Sequence, residues 1–493
     1  MRVSFVVWAV LLAAVFSVVS FAEPVEVVRR VEEGTEVVQV TTSLLRYTFA
    51  AAGGTLRSAF IHLTGLQMTA LEVVPGWEGG ARRTLTFGVS LPFEVWIGEG
   101  ASDARIYDAT VVSPEPDQAV VRLTHSEDGL RVAKEFAVQG DALYTMDVAV
   151  QVQAPGQRIR LVLGHRPIGQ AAPRLLFLYD GKTHSAPLAP GSFARFQGLG
   201  LVENARVYFL RLDEGNAVPF LAVNAAGHPV FGLEGTGEIA LRGVLYTGRN
   251  RYVLLEKAGL AAVDPVGFYS QFLVVVIKFF AWLYHLTGNY GWAIILFTLI
   301  TRVVTYPLMR NQFRSMARMQ RLAPKLKKLQ EKYKDDRQTL QQQMMELYRQ
   351  EKVNPLGGCL PLLLQMPVMV LLWQAIVFSA EMISISPGFL WLRDLSQPDP
   401  YYIMVLLGTG AQILQQWLDQ RRRPEVVAGG MQVMGLVFPI VMAVFFMGWP
   451  AGLWFYWFLM SAFQIGQQFI FDREMGRETA RAPILPPDEP PSA

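Results

Sequence analysis

Residues 294–307 read Ile294-Ile-Leu-Phe-Thr-Leu-Ile-Thr-Arg302-Val-Val-Thr-Tyr-Pro307. Apart from its threonines and a single arginine the run is apolar, and the next charge along the chain is Arg310. Eight residues of helix put Arg302 about 12 Å deeper than that boundary, a depth that snorkelling recovers only in part. A charge near the centre of a bilayer costs at least about 2.5–3.5 kcal/mol, so this arginine requires compensation. An internal carboxylate would be the usual one. Five candidate spans are legible, at about 289–309, 356–378, 401–418, 431–448 and 451–470, and none of them holds an Asp or a Glu. Their polar residues are neutral: threonines on the first, Ser461 on the last, and glutamines such as Gln365, Gln374, Gln412, Gln416, Gln464 and Gln467. Two readings remain open. Arg302 is either a purely structural arginine or an unpaired cation in a wet cavity, free to attract a carboxylate from a visiting chain.

The flanks orient the chain. Residues 310–352 carry twelve Lys/Arg against five Asp/Glu, and Arg421-Arg422-Arg423 lies between two later spans. The positive-inside rule puts both loops in the cytoplasm. Residues 265–286 are apolar at helical spacing (Phe268, Phe272, Val275, Val276, Phe279, Leu283), with Lys278 in the middle and Trp282 and Tyr284 near the end. If this stretch spanned, the basic hairpin would fall outside. It is therefore expected to lie on the outer surface as an amphipathic interfacial helix. The basic stretch itself favours helix in both halves, around Lys325–Tyr333 and Thr339–Tyr348. The break at Lys334-Asp335-Asp336-Arg337 predicts a helical hairpin over 311–352, either simply solvated or a docking site for cytoplasmic partners.

Upstream the composition changes. The chain of 493 residues is 52% hydrophobic and 17% charged. Its mean hydropathy of +0.27 is high for a soluble protein. The apolar excess sits in the first 22 residues and after about residue 265. The opening run, Val3 to Ala22 after Arg2, reads either as a cleaved signal, with Ser20 and Ala22 small before Glu23, or as an uncleaved transmembrane anchor. Either one exports the chain from residue 23 onward. Residues 23–255 alternate with period two: Leu130, Val132, Phe136 and Val138 share one face, as do Tyr144 to Val152 and Ile159 to Leu163. Gly140-Asp141, Ala154-Pro155-Gly156, Asp180-Gly181 and Glu214-Gly215-Asn216 read as turns between strands. The spacing predicts an extracytoplasmic all-β sandwich. Its histidines (His62, His125, His165, His184, His228) lack metal-ligand spacing and are read as isolated residues.

Other classes lose ground. A net charge of +3 is too small to argue for direct nucleic-acid binding. The single cysteine, Cys359, rules out an intramolecular disulfide and a thiolate zinc cluster. An ion-coupled transporter needs an ionisable relay in its spans. No catalytic constellation, phosphate loop, metal motif or cofactor site is legible, so an enzyme is not expected.

Four motifs then carry a resemblance: Arg302-Val-Val-Thr-Tyr-Pro-Leu308, Asn354-Pro-Leu-Gly-Gly-Cys-Leu-Pro-Leu-Leu-Leu-Gln-Met-Pro367, Trp391-Leu-Arg-Asp-Leu-Ser396 with Asp399-Pro-Tyr-Tyr402, and Pro450-Ala-Gly-Leu-Trp-Phe-Tyr456. In this order, over about residues 265–472, they resemble the YidC/Oxa1/Alb3 membrane protein insertases. The exported sandwich is similar to that of the Gram-negative type of YidC. The resemblance implies a five-helix core around a hydrophilic groove, open to cytoplasm and lipid and closed on the outer side. It makes Arg302 the groove arginine, and Thr298 and Trp457, with its neighbour Tyr456, the positions that contact incoming segments. Gln365, Gln412, Gln416 and Gln464 complete the expected groove set. The implied partners are nascent membrane proteins, the lipid bilayer and the Sec translocon, with the ribosome or the signal recognition particle and its receptor at hairpin 311–352.

The expected architecture is thus a membrane α-helical bundle of five core transmembrane helices, with an N-terminal signal or anchor segment over 1–22 and an all-β sandwich over 23–255. A linker and interfacial helix fill 256–288, the insertase core 289–472, and a short disordered cytoplasmic tail 473–493. The setting is the bacterial inner membrane, with 23–288 outside. The rival reading is a sensor or scaffold whose sandwich binds an envelope ligand and whose helices only anchor it.

Overall fold

Strands form where apolar residues alternate, and helices where they recur at three and four. The computed structural model describes residues 24–32, 34–63, 70–74, 90–100, 102–165, 173–188, 195–203, 205–264, 268–334, 336–351, 360–421 and 429–481. The proposed signal or anchor segment and Cys359 lie outside the described residues. The chain divides into two units, Met1–Val275 with Phe378–Pro387, and Val276–Val377 with Gly388–Ala493.

The first unit is a two-sheet sandwich. Its strands are β1 Glu26–Glu32, β2 Thr35–Thr41, β3 Leu45–Ala50, β4 Thr55–Ile61, β5 Leu71–Glu72, β6 Val95–Ile97, β7 Asp108–Val112 and β8 Gln118–Glu127. They continue as β9 Leu130–Gln139, β10 Thr145–His165, β11 Arg174–Tyr179, β12 Lys182–His184, β13 Phe196–Val202, β14 Arg206–Gly215, β15 Val218–Val223 and β16 Pro229–Arg249. One sheet runs β1-β2-β3-β4-β5; the other runs β12-β11-β13-β14-β16-β10-β9-β8-β7, with β15 on β16 and β6 on β10. The inward faces of both sheets share one apolar core. Phe136 of β9 meets Phe49 of β3 at 4.9 Å and Phe93 edge-on at 5.0 Å. The Tyr47 hydroxyl bonds that of Thr247 across the sheets at 3.0 Å.

One turn expectation is corrected. Ala154-Pro155-Gly156 does not end a strand: β10 continues to His165, and its register with β16 shifts between Ala154 and Arg158. Gly156 takes φ +71° there, and Pro155 has no N–H to place in a ladder, so the two build a bulge rather than a turn.

A charged residue occupies an inward position of β9. Lys134 falls between Val132 and Phe136 in the alternation and is 1% exposed. Its Nζ donates to the carbonyls of Gly53 at 3.0 Å and Gly54 at 2.9 Å, and lies 4.1 Å from the Tyr107 ring centre. Gly53 and Gly54 are both left-handed, which turns their carbonyls inward. Burial pushes the Lys134 ammonium down to about 7, against the pull of the Asp103 and Glu94 carboxylates.

The sandwich core runs past residue 255, the boundary expected from the sequence. Helix α1, Tyr252–Lys257, buries Val253, Leu254 and Leu255. It closes in a Schellman turn: Leu260 N–H bonds Leu255 O at 2.7 Å and Gly259 N–H bonds Glu256 O at 3.0 Å, with Gly259 at φ +72°. The turn drives Leu260 and then Val263 back into the core.

The remaining helices are α2 Phe268–Thr287, α3 Tyr290–Lys332, α4 Arg337–Gln350, α5 Leu360–Phe378, α6 Ala380–Ser384, α7 Ile403–Arg421, α8 Gly429–Phe446 and α9 Ala451–Arg481. Asn289 caps α3 by accepting from Gly291 N–H at 2.8 Å. The first expected span and the first half of the basic hairpin prove to be one helix of 43 residues with Pro307 and Pro324 inside it. The hairpin then turns where the charge break falls, with Asp336 capping α4 through Thr339 N–H at 3.0 Å. Leu322 and Leu326 pack against Met344, Leu347 and Tyr348 across it. The end of the chain is also corrected. Helix α9 continues past 472 to Arg481, through residues without proline, and the residues beyond Arg481 lie outside the described residues.

Apolar side chains point outward from these helices, among them Val303 and Val304 (72% and 70% exposed) on α3, Leu406 on α7 and Phe445 on α8. Helix α2 is apolar on two faces, not one: Ile277, Phe280 and Leu283 are buried while Val275, Trp282 and Leu286 are exposed. Among the described residues one helical window, Tyr290–Pro307, is both long and apolar enough to cross a bilayer. The apolar stretches Gln271–Thr287, Met366–Phe378, Ile403–Leu418 and Leu436–Phe446 are shorter.

Candidate functional site

Arg302 lies three turns into α3 and is 6% exposed. Its guanidinium reaches α9. Nη2 donates to the Met460 carbonyl at 2.5 Å and to Gln464 Oε1 at 3.4 Å, and Nη1 donates to Gln467 Oε1 at 3.4 Å. Positions 460, 464 and 467 share one face of α9 because they are spaced four and then three apart. The Met460 carbonyl is inside the helix ladder and still has a second lone pair to offer. Arg302 Nε is buried with no partner among the described residues. Among the described residues, every acceptor around this cation is neutral.

The threonines expected to line a cavity serve their own helix. Thr298 is fully buried and donates to Ile294 O at 2.7 Å; Thr301 donates to Thr298 O at 2.8 Å, and Thr305 to Thr301 O at 2.7 Å. This back-bonding satisfies their hydroxyls without the arginine. Tyr456, one turn before Met460 on the same face, is buried with its ring 6.3 Å from that of Phe297. Trp457 is directed elsewhere, edge-on to Trp454 at 4.8 Å and stacked on Trp449 at 6.4 Å. Trp449 in turn stacks on Trp373 of α5 at 5.5 Å. Gln412 and Gln416 are half-buried on one face of α7 and do not bond Arg302. The Gln365 side chain lies outside the described residues.

Of the expected groove set, the structure therefore joins only Gln464 directly to Arg302. It adds Gln467, named among the neutral polar residues of the last span but not in the groove set, and the Met460 carbonyl, which no sequence pattern marks. The spacing of Gln464 and Gln467 carried a usable signal; a backbone carbonyl carries none.

Residues 282–478 match the family model described as 60Kd inner membrane protein, a stretch that includes both Arg302 and its acceptors. The chain is 30% identical over 418 residues to the membrane protein insertase YidC of Wolinella succinogenes, covering 80% of this chain and 76% of that protein. It is 43% identical over 223 residues to the YidC insertase of Bordetella avium; that match spans 45% of this chain and 39% of the relative's length. Among solved structures, an active YidC insertase with its first transmembrane domain resolved superposes with a TM-score of 0.58 at 23% identity, over 95% of this chain and 99% of that one.

Proposed function

The chain belongs to the YidC family of membrane protein insertases, and on that premise we propose that it moves apolar segments of client proteins from the cytoplasm into the bacterial inner membrane beside Arg302. The observation that carries this reading is a cation held inside an apolar helical unit, among the described residues by neutral acceptors only. A guanidinium in such a setting keeps unspent attraction for an anion, because a carboxylate adds a charge–charge attraction that a neutral oxygen lacks. An acidic residue in a client's short translocated tail supplies that anion. The tail leaves the cytoplasmic side, and the adjoining apolar segment then slides into lipid.

In this reading α3, α5, α7, α8 and α9 are the five core helices, with hairpin α3–α4 and the loop after Arg421 in the cytoplasm and the sandwich outside. The helices are short, and a short span thins the bilayer around it, which lowers the barrier to a polar tail. Their outward apolar side chains face lipid. Tyr456 and Trp457 contact client segments, and Gln412 and Gln416 line the groove. The hairpin is the docking site for the ribosome or the signal recognition particle and its receptor, and the Sec translocon is a partner for longer clients. The sensor reading is not favoured, since it gives the buried arginine no task.

Reconstitution tests the proposal. Purified chain in proteoliposomes should insert a single-span client, read by protease protection, without nucleotide. Liposomes with and without the chain giving equal protection would refute it.

A further inference from the structure

Glu381 is the single acidic residue between Glu351 and Asp394. It lies in Phe378–Pro387, which follows α5 without a break yet belongs to the sandwich unit. Its side chain is 0% exposed. Arg251 Nη1 donates to Oε2 at 2.8 Å, Arg249 Nε stands 3.6 Å from Oε1, and the Tyr144 hydroxyl donates to Oε1 at 3.5 Å. The two arginines converge because the backbone stays extended beyond β16, with Arg251 at φ −132° and ψ 123°, so residues 249 and 251 project from one face. Arg249 is braced by Nη2 donating to Leu63 O at 2.9 Å. Tyr144 is held at φ +64°, and its ring covers Gly248, where a Cβ would come within 2.6 Å of it. Around the carboxylate, Ala380 enters the sandwich core, Ile385 packs against that core, and the Arg251 guanidinium lies 5.4 Å from the Phe378 ring.

We propose that Phe378–Pro387 is a strap clamped in this socket, and that Glu381, Arg251, Arg249 and Tyr144 are positioning residues for the insertion reaction because they fix where α5 ends. The inference rests on the insertase reading. Its mechanical basis is short: Glu381 stands three positions beyond Phe378, a reach of about 10 Å at full extension. The last turn of α5 therefore cannot move far while Glu381 is held. The chemistry also points to registration. An apolar residue of similar volume would dock a loop at least as stably as a buried ion pair. What two arginines and a tyrosine around one carboxylate add is a single permitted seat.

The test uses the full chain in proteoliposomes, in a Cys359→Ser background, with Ile385→Cys as a reporter of strap release. Arg251→Ala should raise the rate of thiol modification at that position by about 100-fold or more, as expected when a buried carboxylate loses its main partner. It should also cut insertion of a single-span client several-fold. Glu381→Gln should do both more mildly and serves if Arg251→Ala folds poorly. Exchanging the charges, Glu381→Arg with Arg251→Glu, keeps two cations and one anion in the socket and should recover slow modification and insertion together. Unchanged modification in Arg251→Ala and Glu381→Gln would overturn the clamp. Fast modification with undiminished insertion would overturn the positioning role. A parent chain that inserts nothing would instead remove the insertase reading, and the positioning role with it, whatever the modification rates.

Discussion

Replacing Arg302 by alanine should separate clients by the charge of their tails. In the resting structure the guanidinium makes three bonds to neutral oxygens, at 2.5, 3.4 and 3.4 Å. A bond from a charged donor contributes about 1.5–3 kcal/mol, and the two long ones fall at the weak end. A carboxylate about 4 Å away at an effective dielectric near 20 is attracted by about 4 kcal/mol. Exchanging one long glutamine bond for that carboxylate gains roughly 1.5–2.5 kcal/mol, or about a 10- to 60-fold preference for an acidic tail. Arg302→Ala should therefore lower insertion of an acidic-tailed client by about tenfold or more relative to the same client with a neutralised tail. Arg302→Lys keeps the charge and loses the planar fork, so acidic-tail insertion should stay within about threefold of the parent. The fold should survive alanine: among the described residues no carboxylate is left unpaired, and the half-buried Gln464 and Gln467 can turn to other partners. The assay is protease protection of a single-span client in proteoliposomes, with thermal unfolding of each variant alongside. Equal loss for both tails together with a lowered melting temperature would refute the reasoning and leave Arg302 a structural residue.

Lys134 gives the sandwich a pH dependence. Its folded pKa, lowered by burial to about 7, lies below the unfolded value, so the unfolded chain binds the extra proton between about pH 7 and pH 10.5 and stability should rise across that window, by at most roughly 5 kcal/mol. Below pH 7 both states are protonated and the dependence on this group vanishes; Lys134→Met should abolish the slope in thermal melts, and a slope that persists would assign it elsewhere. Gly248→Ala should destabilise the sandwich by about 1–3 kcal/mol, because its Cβ would collide with the Tyr144 ring, and an unchanged urea midpoint would show that the ring can move aside. Lys328→Cys, at an exposed position of α3, should react with an impermeant thiol reagent only from the cytoplasmic side once Cys359 is serine; labelling of intact cells from outside would invert the assigned topology.

The parts legible in the sequence were those set by local periodicity. The alternation of Leu130 to Val138 and of Tyr144 to Val152 survives as β9 and β10, because one face of each meets a common core. The charge break at 334–337 became a capped turn because an aspartate before a helix satisfies its first N–H groups. What failed was punctuation whose meaning depends on a distant partner. Pro155-Gly156 reads the same in a turn and in a bulge, and only the continuity of β16 across the gap decides for the bulge. The break expected near 309 between span and hairpin is absent, since α3 continues through Pro307 and Pro324. At the candidate site the sequence exposed what was missing, the carboxylate, without showing which of a dozen neutral groups would answer Arg302. That choice follows from α9 being the neighbour of α3, a tertiary fact. Lys134 and Glu381 carry no local signal of their roles, because their partners lie some 80 and 130 residues away.

Lys134, Arg302 and Glu381, all buried charges, can be compared on one scale, their remaining capacity for a new counter-ion. Glu381 is surrounded by two arginines and a tyrosine, and an arriving cation would have to displace one of them at the cost of a bare buried charge. Lys134 is closed in by two carbonyls and an aromatic face, with the Asp103 and Glu94 carboxylates already acting on it, and it is 1% exposed within a packed sandwich. Arg302 differs in kind. Its partners are uncharged, two of its three bonds are long, and one N–H is unmatched among the described residues. It is also the one of the three in the helical unit, where outward apolar side chains point to lipid as surroundings and water cannot screen a charge as it does at a protein surface. A sequence that needed only to stabilise this arginine could have placed an aspartate or glutamate at 464 or 467, on the face that already meets it. Glutamine at both positions holds the guanidinium in place and sets no carboxylate beside it among the described residues, the condition that the proposed recruitment of an acidic client tail requires.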